Sequence, residues 1–148
     1  MNIKGCFLHN KDDWSTPKEF YEYLLAQGYS DPCPLHSKED NLSKIYPKGT
    51  KLFINPPYSK IIEWTEFIKN NIHNRILLLI PSRTDTKYFH ELLKLQPWIY
   101  FIKGRLKFGN SKESAPFPSL LLLFIPGLKL FTTFYGTTLE DIIERRLV

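Results

Sequence analysis

Lys51-Leu52-Phe53-Ile54 runs directly into Asn55-Pro56-Pro57-Tyr58, and this junction constrains the fold more than any other stretch of the chain. The first four residues read as a buried strand. Proline has no N–H for a sheet ladder, so two prolines in succession end the strand and stiffen the turn after it. Pro56 also biases Asn55 toward an extended backbone. The strand therefore stops with the Asn55 side-chain oxygen and a proline carbonyl able to aim at one point, and the flat face of Tyr58 lies beside them. The plain alternatives are a simple turn or a polyproline ligand for another domain.

The rest of the chain alternates helical and strand patterns. Met1 to Asp13 is polar and reads as a loose segment apart from Cys6-Phe7-Leu8. Ser15-Thr16-Pro17 reads as a helix start, with Ser or Thr as cap and Pro17 at the first helical position. Phe20, Tyr21, Leu24 and Leu25 form its apolar stripe and Gly28 ends it. A short extended piece, Tyr29-Ser30, leads into Asp31-Pro32-Cys33-Pro34. Residues 35 to 50 are mostly polar. The pattern then predicts a helix over 59–71, a strand over 75–80, a helix over 85–94 and a strand over 98–103. A loop over 104–118 precedes a buried strand over 120–125. Residues 128–135 read as one more strand, paired with it across Pro126-Gly127, and Thr138 caps a last helix through Arg146. These patterns specify an α/β fold with a largely parallel sheet, formed as one domain over residues 1–148. In such sheets ligands sit past the carboxyl ends of the strands, where both Asp31-Pro32 and Asn55-Pro56 fall.

Composition narrows the function classes. The 148 residues are 43% hydrophobic and 15% aromatic, which argues against disorder. A formal charge of +5 suits a polyanionic partner without requiring one. Two separated cysteines, Cys6 and Cys33, with no CxxC, read as reduced thiols of a cytoplasmic protein. No run approaches ~18 apolar residues, so no membrane span is expected. The four histidines lie far apart with no HExxH, so no metal site is expected.

The chemistry suited to Asn55-Pro56-Pro57-Tyr58 is transfer of a methyl group to an amino nitrogen conjugated with a ring, as on adenine. Such a nitrogen is a weak nucleophile. Two carbonyl acceptors at its hydrogens localise the lone pair and stabilise the positive charge that grows during transfer. By analogy with oxyanion-hole donors, each well-placed group contributes ~10²–10³ in rate. Asn55 (side-chain oxygen) and Pro56 (backbone oxygen) are the expected acceptors. Pro57 stiffens the turn, and Tyr58 stacks on a base drawn out of the duplex. The expected donor is S-adenosylmethionine, whose cationic groups favour a carboxylate, and Asp31 is the candidate. The alternative for Asp31-Pro32 is an ordinary Asx turn. No GxG occurs, and only 24 positions separate Asp31 from Asn55. One βαβ unit takes ~30 residues, so the cofactor region must be abbreviated, with Glu39, Asp40 or Asn41 as ribose partner. Lys103, Arg105 and Lys107, interleaved with Phe108 and glycines, suit a phosphate backbone and unstacked bases; the alternative is a solvated loop. Arg83 sits on the same rim and can reach a phosphate, while its neighbours Thr84 and Asp85 suit a helix cap.

Taken in order, these segments resemble the phage-type DNA adenine-N-methyltransferase (Dam) family. The resemblance runs through Asp12-Asp13-Trp14-Ser15-Thr16-Pro17, Asp31-Pro32-Cys33-Pro34 and Asn55-Pro56-Pro57-Tyr58-Ser59. It continues through Leu79-Ile80-Pro81-Ser82-Arg83-Thr84-Asp85-Thr86, Gly104-Arg105-Leu106-Lys107-Phe108-Gly109 and Ser114-Ala115-Pro116-Phe117-Pro118-Ser119, covering about residues 12 to 125. It implies a compact Rossmann-like methyltransferase fold with a reduced, mostly parallel sheet, S-adenosylmethionine as donor, and adenine in DNA as acceptor. It implies a cofactor site at Asp31 and Pro32, with Trp14, Thr16, Pro17 and Asn55 close by; the DNA contacts expected of Arg83, Lys103, Arg105 and Lys107 rest on their charge and place in the chain. Methylation of an RNA base or a protein glutamine, and a DNA-binding protein without catalysis, remain the competing readings.

Overall fold

The long apolar runs become strands buried on both faces. In the computed structural model, residues 14–34, 41–109, 111–128 and 134–148 are described. The N-terminal segment through residue 13, with Cys6, and the ribose candidates Glu39 and Asp40 lie outside them. Six strands are seen: β1 (Tyr29–Ser30), β2 (Lys51–Ile54), β3 (Arg75–Pro81), β4 (Trp98–Ile102), β5 (Ser119–Phe124) and β6 (Phe134–Thr137). They form one sheet in the order β1-β2-β3-β5-β4-β6. The β1/β2, β2/β3 and β4/β6 pairs are parallel, and β5 runs antiparallel to both β3 and β4. The sheet is thus mostly parallel, with β5 alone reversed.

Alternate residues of β3 and β5 feed two cores, as the period of two in a strand demands. Leu77, Leu79, Leu121 and Leu123 pack with Phe20 and Leu24 of helix α1 (Lys18–Ala26) and Ile142 of helix α4 (Leu139–Arg145). Ile76, Leu78, Ile80, Leu120 and Leu122 pack on the other face with Trp64, Phe67 and Ile68 of α2 (Ile61–Asn70) and Phe89 and Leu92 of α3 (Lys87–Leu93). No helix among the described residues is long and apolar enough to cross a membrane.

Four expectations change. Of the strand expected over 128–135, residues 129–133 lie outside the described residues; the described strand, β6 (Phe134–Thr137), pairs in parallel with β4 and not with β5. Both edges of β5 are already taken by β3 and β4, so no edge is left for a hairpin. At the first helix, Pro17 stands at the N-cap and no side chain caps it. Thr16 does not serve as cap because its hydroxyl accepts from the Asn55 amide instead. The helix expected from Ser59 opens as a 3₁₀ turn over Tyr58–Lys60, in which Lys60 N–H donates to the Pro57 carbonyl (2.9 Å). Neither Thr84 nor Asp85 caps α3; Thr86 holds that position and its hydroxyl donates to the Arg83 carbonyl (2.7 Å). Thr138 does cap α4, its hydroxyl accepting from Asp141 N–H (3.0 Å).

Residues 41–50 reach β2 without a helix or strand of their own, and two fully buried asparagines hold them. Asn71 Oδ1 accepts from Tyr46 N–H (2.8 Å), and its Nδ2 donates to the Lys44 and Phe67 carbonyls (both 3.0 Å). Asn74 Oδ1 accepts from Thr50 N–H, and its Nδ2 donates to the Tyr46 carbonyl (both 3.1 Å). This clamp fixes the chain at the start of β2 and β3, so their other ends are set in register. Truncating Asn71 leaves buried backbone groups unpaired. Asn71→Ala is therefore expected to cost about 2–3 kcal/mol in urea unfolding; a loss below about 0.5 kcal/mol would remove the clamp from the account.

Candidate active site at the carboxyl rim

The five co-directional strands end on one rim, and β5 enters there. Asp31 follows β1, Asn55 follows β2, Arg83 lies two residues past β3, and Lys103 follows β4. Phe53 of β2 faces the α1 side and Ile54 the α2 side. The next residue, Asn55, returns to the α1 side, where a strap of Trp14, Ser15 and Thr16 crosses it. Asn55 Nδ2 donates to the Trp14 carbonyl and to Thr16 Oγ1 (3.2 Å). A carbonyl can only accept, so the atom facing Trp14 must be the amide nitrogen. That leaves Asn55 Oδ1 buried with no hydrogen-bond partner. A buried polar atom in that state costs about 1–3 kcal/mol, and a native structure that keeps one calls for an explanation, a catalytic role among them. Pro56 is buried, and the Pro57 carbonyl is engaged by Lys60.

Tyr58 opens onto an aromatic wall. Its ring meets Phe117 edge-on at 5.6 Å; Phe117 meets Trp14 edge-on at 5.1 Å, and Trp14 meets Phe108 at 5.5 Å. Beside the wall lies a cavity of about 380 Å³. Trp14, Tyr58, Tyr88 and Phe117 form its aromatic sides, Pro81 and Pro116 are beside them, and Arg83 is the one charged residue among those lining it. This is the size and character of a small-molecule site. The Tyr58 hydroxyl is buried without a partner, and burial pushes its pKa well above the usual phenol value, with Tyr88 adding to the shift. Asn55 Oδ1 is covered and Asn55 does not itself line the cavity, so a ring entering the cavity reaches that oxygen only after a local rearrangement.

Asp31 stands one strand away. Its Oδ1 accepts from Cys33 N–H (2.8 Å), the Asx turn foreseen as the alternative, and the Tyr21 hydroxyl lies near enough to the carboxylate to favour its charged form. Burial raises the Asp31 pKa above the ordinary carboxylate value, and the two donors pull it partly back. No ion pair among the described residues involves Asp31. The Cys33 thiol is pushed up to about 12 by burial and by Asp31, so it stays protonated at neutral pH. Asn41 Nδ2 donates to the Pro32 carbonyl (2.9 Å), so the described ribose candidate is tied into this turn.

The basic segment leaves β4 and returns to the strap. Lys103 N–H donates to the Thr137 carbonyl, Ala115 N–H to Leu106, and Gly109 N–H to Ser15, each at 2.7 Å. Lys103, Arg105 and Lys107 are exposed while Leu106 and Phe108 are buried, so the cations form one outward row. Gly109 has φ +57°, and a Cβ there would run into the Ser15 hydroxyl. The structure thus brings Trp14, Thr16, Asn55 and Tyr58 together and puts Arg83 at the cavity. Asp31 is on the neighbouring strand. Lys103 lies three strands from Asn55 along the sheet, away from the cavity, and Pro17 sits past the strap at the start of α1. Phe117 and Tyr88 were not anticipated as site residues. An aromatic held between two prolines at a strand entrance was the available signal for Phe117; Tyr88 belongs to the apolar pattern of α3 and is half-buried at the cavity.

The sequence has counterparts among known proteins. A family model described as DNA N-6-adenine-methyltransferase (Dam) matches residues 7–126. The chain is also similar to the S-adenosylmethionine:tRNA ribosyltransferase-isomerase of Helicobacter acinonychis (strain Sheeba), with 27% identity over 94 residues, 64% of this chain and 25% of that protein. The chain spans about a quarter of the length of this curated relative.

Asp31 yields a stability prediction. Its folded-state pKa is raised, so the native state holds the proton more tightly than the unfolded state does. The group opposes folding increasingly as pH rises from about the ordinary Asp value near 3.9 through the raised native value, and fully above it. Asp31→Asn keeps an acceptor for Cys33 and should melt at or above the wild-type temperature at pH 7, with the gap closing at pH 3. A clearly lower melting temperature at pH 7 would contradict the burial penalty.

Proposed function

We propose, from the premise that the chain belongs to the DNA N-6-adenine-methyltransferase (Dam) family, that it transfers a methyl group from S-adenosylmethionine to the exocyclic amino nitrogen of adenine in DNA. The observation that carries this reading is the buried, unpartnered Oδ1 of Asn55, three residues before the Tyr58 that walls the cavity. An acceptor kept out of water and without an internal partner suits an amino group arriving with hydrogens to donate. Asn55 Oδ1 and the Pro56 carbonyl accept those hydrogens, localise the lone pair and stabilise the developing charge. Tyr58, Trp14 and Phe117 offer ring faces and edges to the base. Stacking of ~1–3 kcal/mol per base offsets much of the few kcal/mol that extrusion from the duplex costs.

The donor set fits a cationic cofactor. Asp31 is a partly buried carboxylate with no counter-charge among the described residues, one strand from Asn55. Asp31 and Pro32 would hold S-adenosylmethionine, with Trp14, Thr16 and Pro17 close by. When bound, this cofactor supplies a methyl group on a sulfonium centre. Arg83, Lys103, Arg105 and Lys107 meet the phosphate backbone, in keeping with the +5 charge. The reversed β5 within an otherwise co-directional sheet is compatible with a reduced Rossmann-like methyltransferase domain. An RNA acceptor is the second reading, favoured by the tRNA in the name of the Helicobacter relative.

Incubation with tritiated S-adenosylmethionine and separate DNA, RNA and protein substrates decides between them. Label on DNA, recovered as N6-methyladenine, is expected; label on RNA alone would select the second reading, and cofactor binding without transfer would leave a binding protein. Asn55→Ala should lower turnover by about 10² or more with cofactor affinity little changed, and unaltered turnover would take Asn55 out of the chemistry. In calorimetry, Asp31→Asn should weaken S-adenosylmethionine binding by about tenfold, the loss of one charge-assisted contact; full retention would move the cofactor elsewhere. Arg105→Ala should flatten the salt dependence of DNA affinity by about one ion, and an unchanged slope would clear Arg105 of phosphate contact.

A further inference from the structure

The Asn55 amide has two orientations that differ by a flip of its end, and only one of them presents oxygen to a substrate amine. What selects between them is the strap. Trp14 supplies a carbonyl and Thr16 a hydroxyl to Nδ2, one acceptor for each amide hydrogen. Flipping the amide would set Oδ1 against the Trp14 carbonyl, two acceptors in contact with no proton between them. The strap is itself anchored from the far side, because Ser15 accepts from Gly109 N–H (2.7 Å) and the Trp14 ring packs against Phe108 and Phe117.

We propose that the Trp14–Thr16 strap is a latch that fixes the rotamer and the amide sense of Asn55, and that Thr16 is a positioning residue for the transfer. The proposal rests on the adenine-methylating reading for its consequence in catalysis, but the latch is a property of the chain alone. It replaces the helix-cap reading of Thr16 and adds to its place near the cofactor: the Thr16 hydroxyl accepts an Asn55 amide hydrogen that would otherwise be free to turn. The latch also selects asparagine over aspartate at position 55. A carboxylate has no hydrogen to give the Trp14 carbonyl, so the two oxygens repel, even though a carboxylate is the stronger acceptor for an amine.

Thr16→Val keeps the shape and removes the acceptor; Thr16→Ser keeps the hydroxyl. The expected result is a kcat about tenfold lower for Thr16→Val, with KM for DNA and the calorimetric Kd for S-adenosylmethionine within about twofold of wild type, and recovery of most of the kcat in Thr16→Ser. Asn55→Asp should be as slow at pH 7.5 as Asn55→Ala. An unchanged kcat in Thr16→Val, a loss confined to cofactor Kd, or an active Asn55→Asp would each overturn the latch. A second readout needs no activity: in ¹⁵N-resolved spectra of the free protein, the Asn55 side-chain amide protons should exchange slowly with water and about tenfold faster in Thr16→Val. Equal exchange rates would overturn the latch as well. If the wild type methylates no DNA while this difference in exchange persists, the proposed function fails and the latch stands.

Discussion

One amide organises the rim. Both hydrogens of Asn55 Nδ2 are committed to the Trp14–Thr16 strap, and its oxygen is left buried with nothing to accept from. Asn71 and Asn74, both fully buried, instead use every amide atom. A satisfied clamp thus stands at one end of β2 and an unsatisfied oxygen at the other, the contrast on which the proposed role of Asn55 rests. Two further orphaned groups, the hydroxyls of Tyr58 and Ser119, lie at the same rim.

The sheet explains why the pieces meet. Parallel strands deliver their carboxyl ends to one edge, so Asp31, Asn55 and Arg83, distant in sequence, arrive on three adjacent strands. The reversed β5 brings Pro116 and Phe117 down onto that edge from the opposite direction, which closes the aromatic wall over the end of β3. Charge is divided along the rim, with a carboxylate on the β1 side and the cavity's guanidinium on the β3 side.

Much of this was legible in the residues. Consecutive prolines after an apolar run announced where β2 ends, and runs of leucine and isoleucine announced strands buried on both faces. Asp31 and Arg83 were read at strand ends and are found there. Partner choice was less legible. The turn-like Pro126-Gly127 favours a local hairpin, and only the sheet order reveals that β5 has no free edge. Thr16 followed by Pro17 is a strong helix-start signal, yet long-range hydrogen bonding to Asn55, 39 positions away, took the hydroxyl. Phe117 and Tyr88 were missed because an aromatic that walls a cavity and one that fills a core have the same local sequence pattern. The family model over residues 7–126 adds a context in which these contacts have a common purpose.

The most direct measurement is a crystal structure of the chain with adenine-containing DNA and a non-transferable analogue of S-adenosylmethionine. The expected result is an adenine amino nitrogen within about 2.7–3.2 Å of both Asn55 Oδ1 and the Pro56 carbonyl, with Nδ2 still on Trp14 and Thr16. An adenine bound elsewhere, or an Asn55 oxygen still sealed from it, would contradict the central claim.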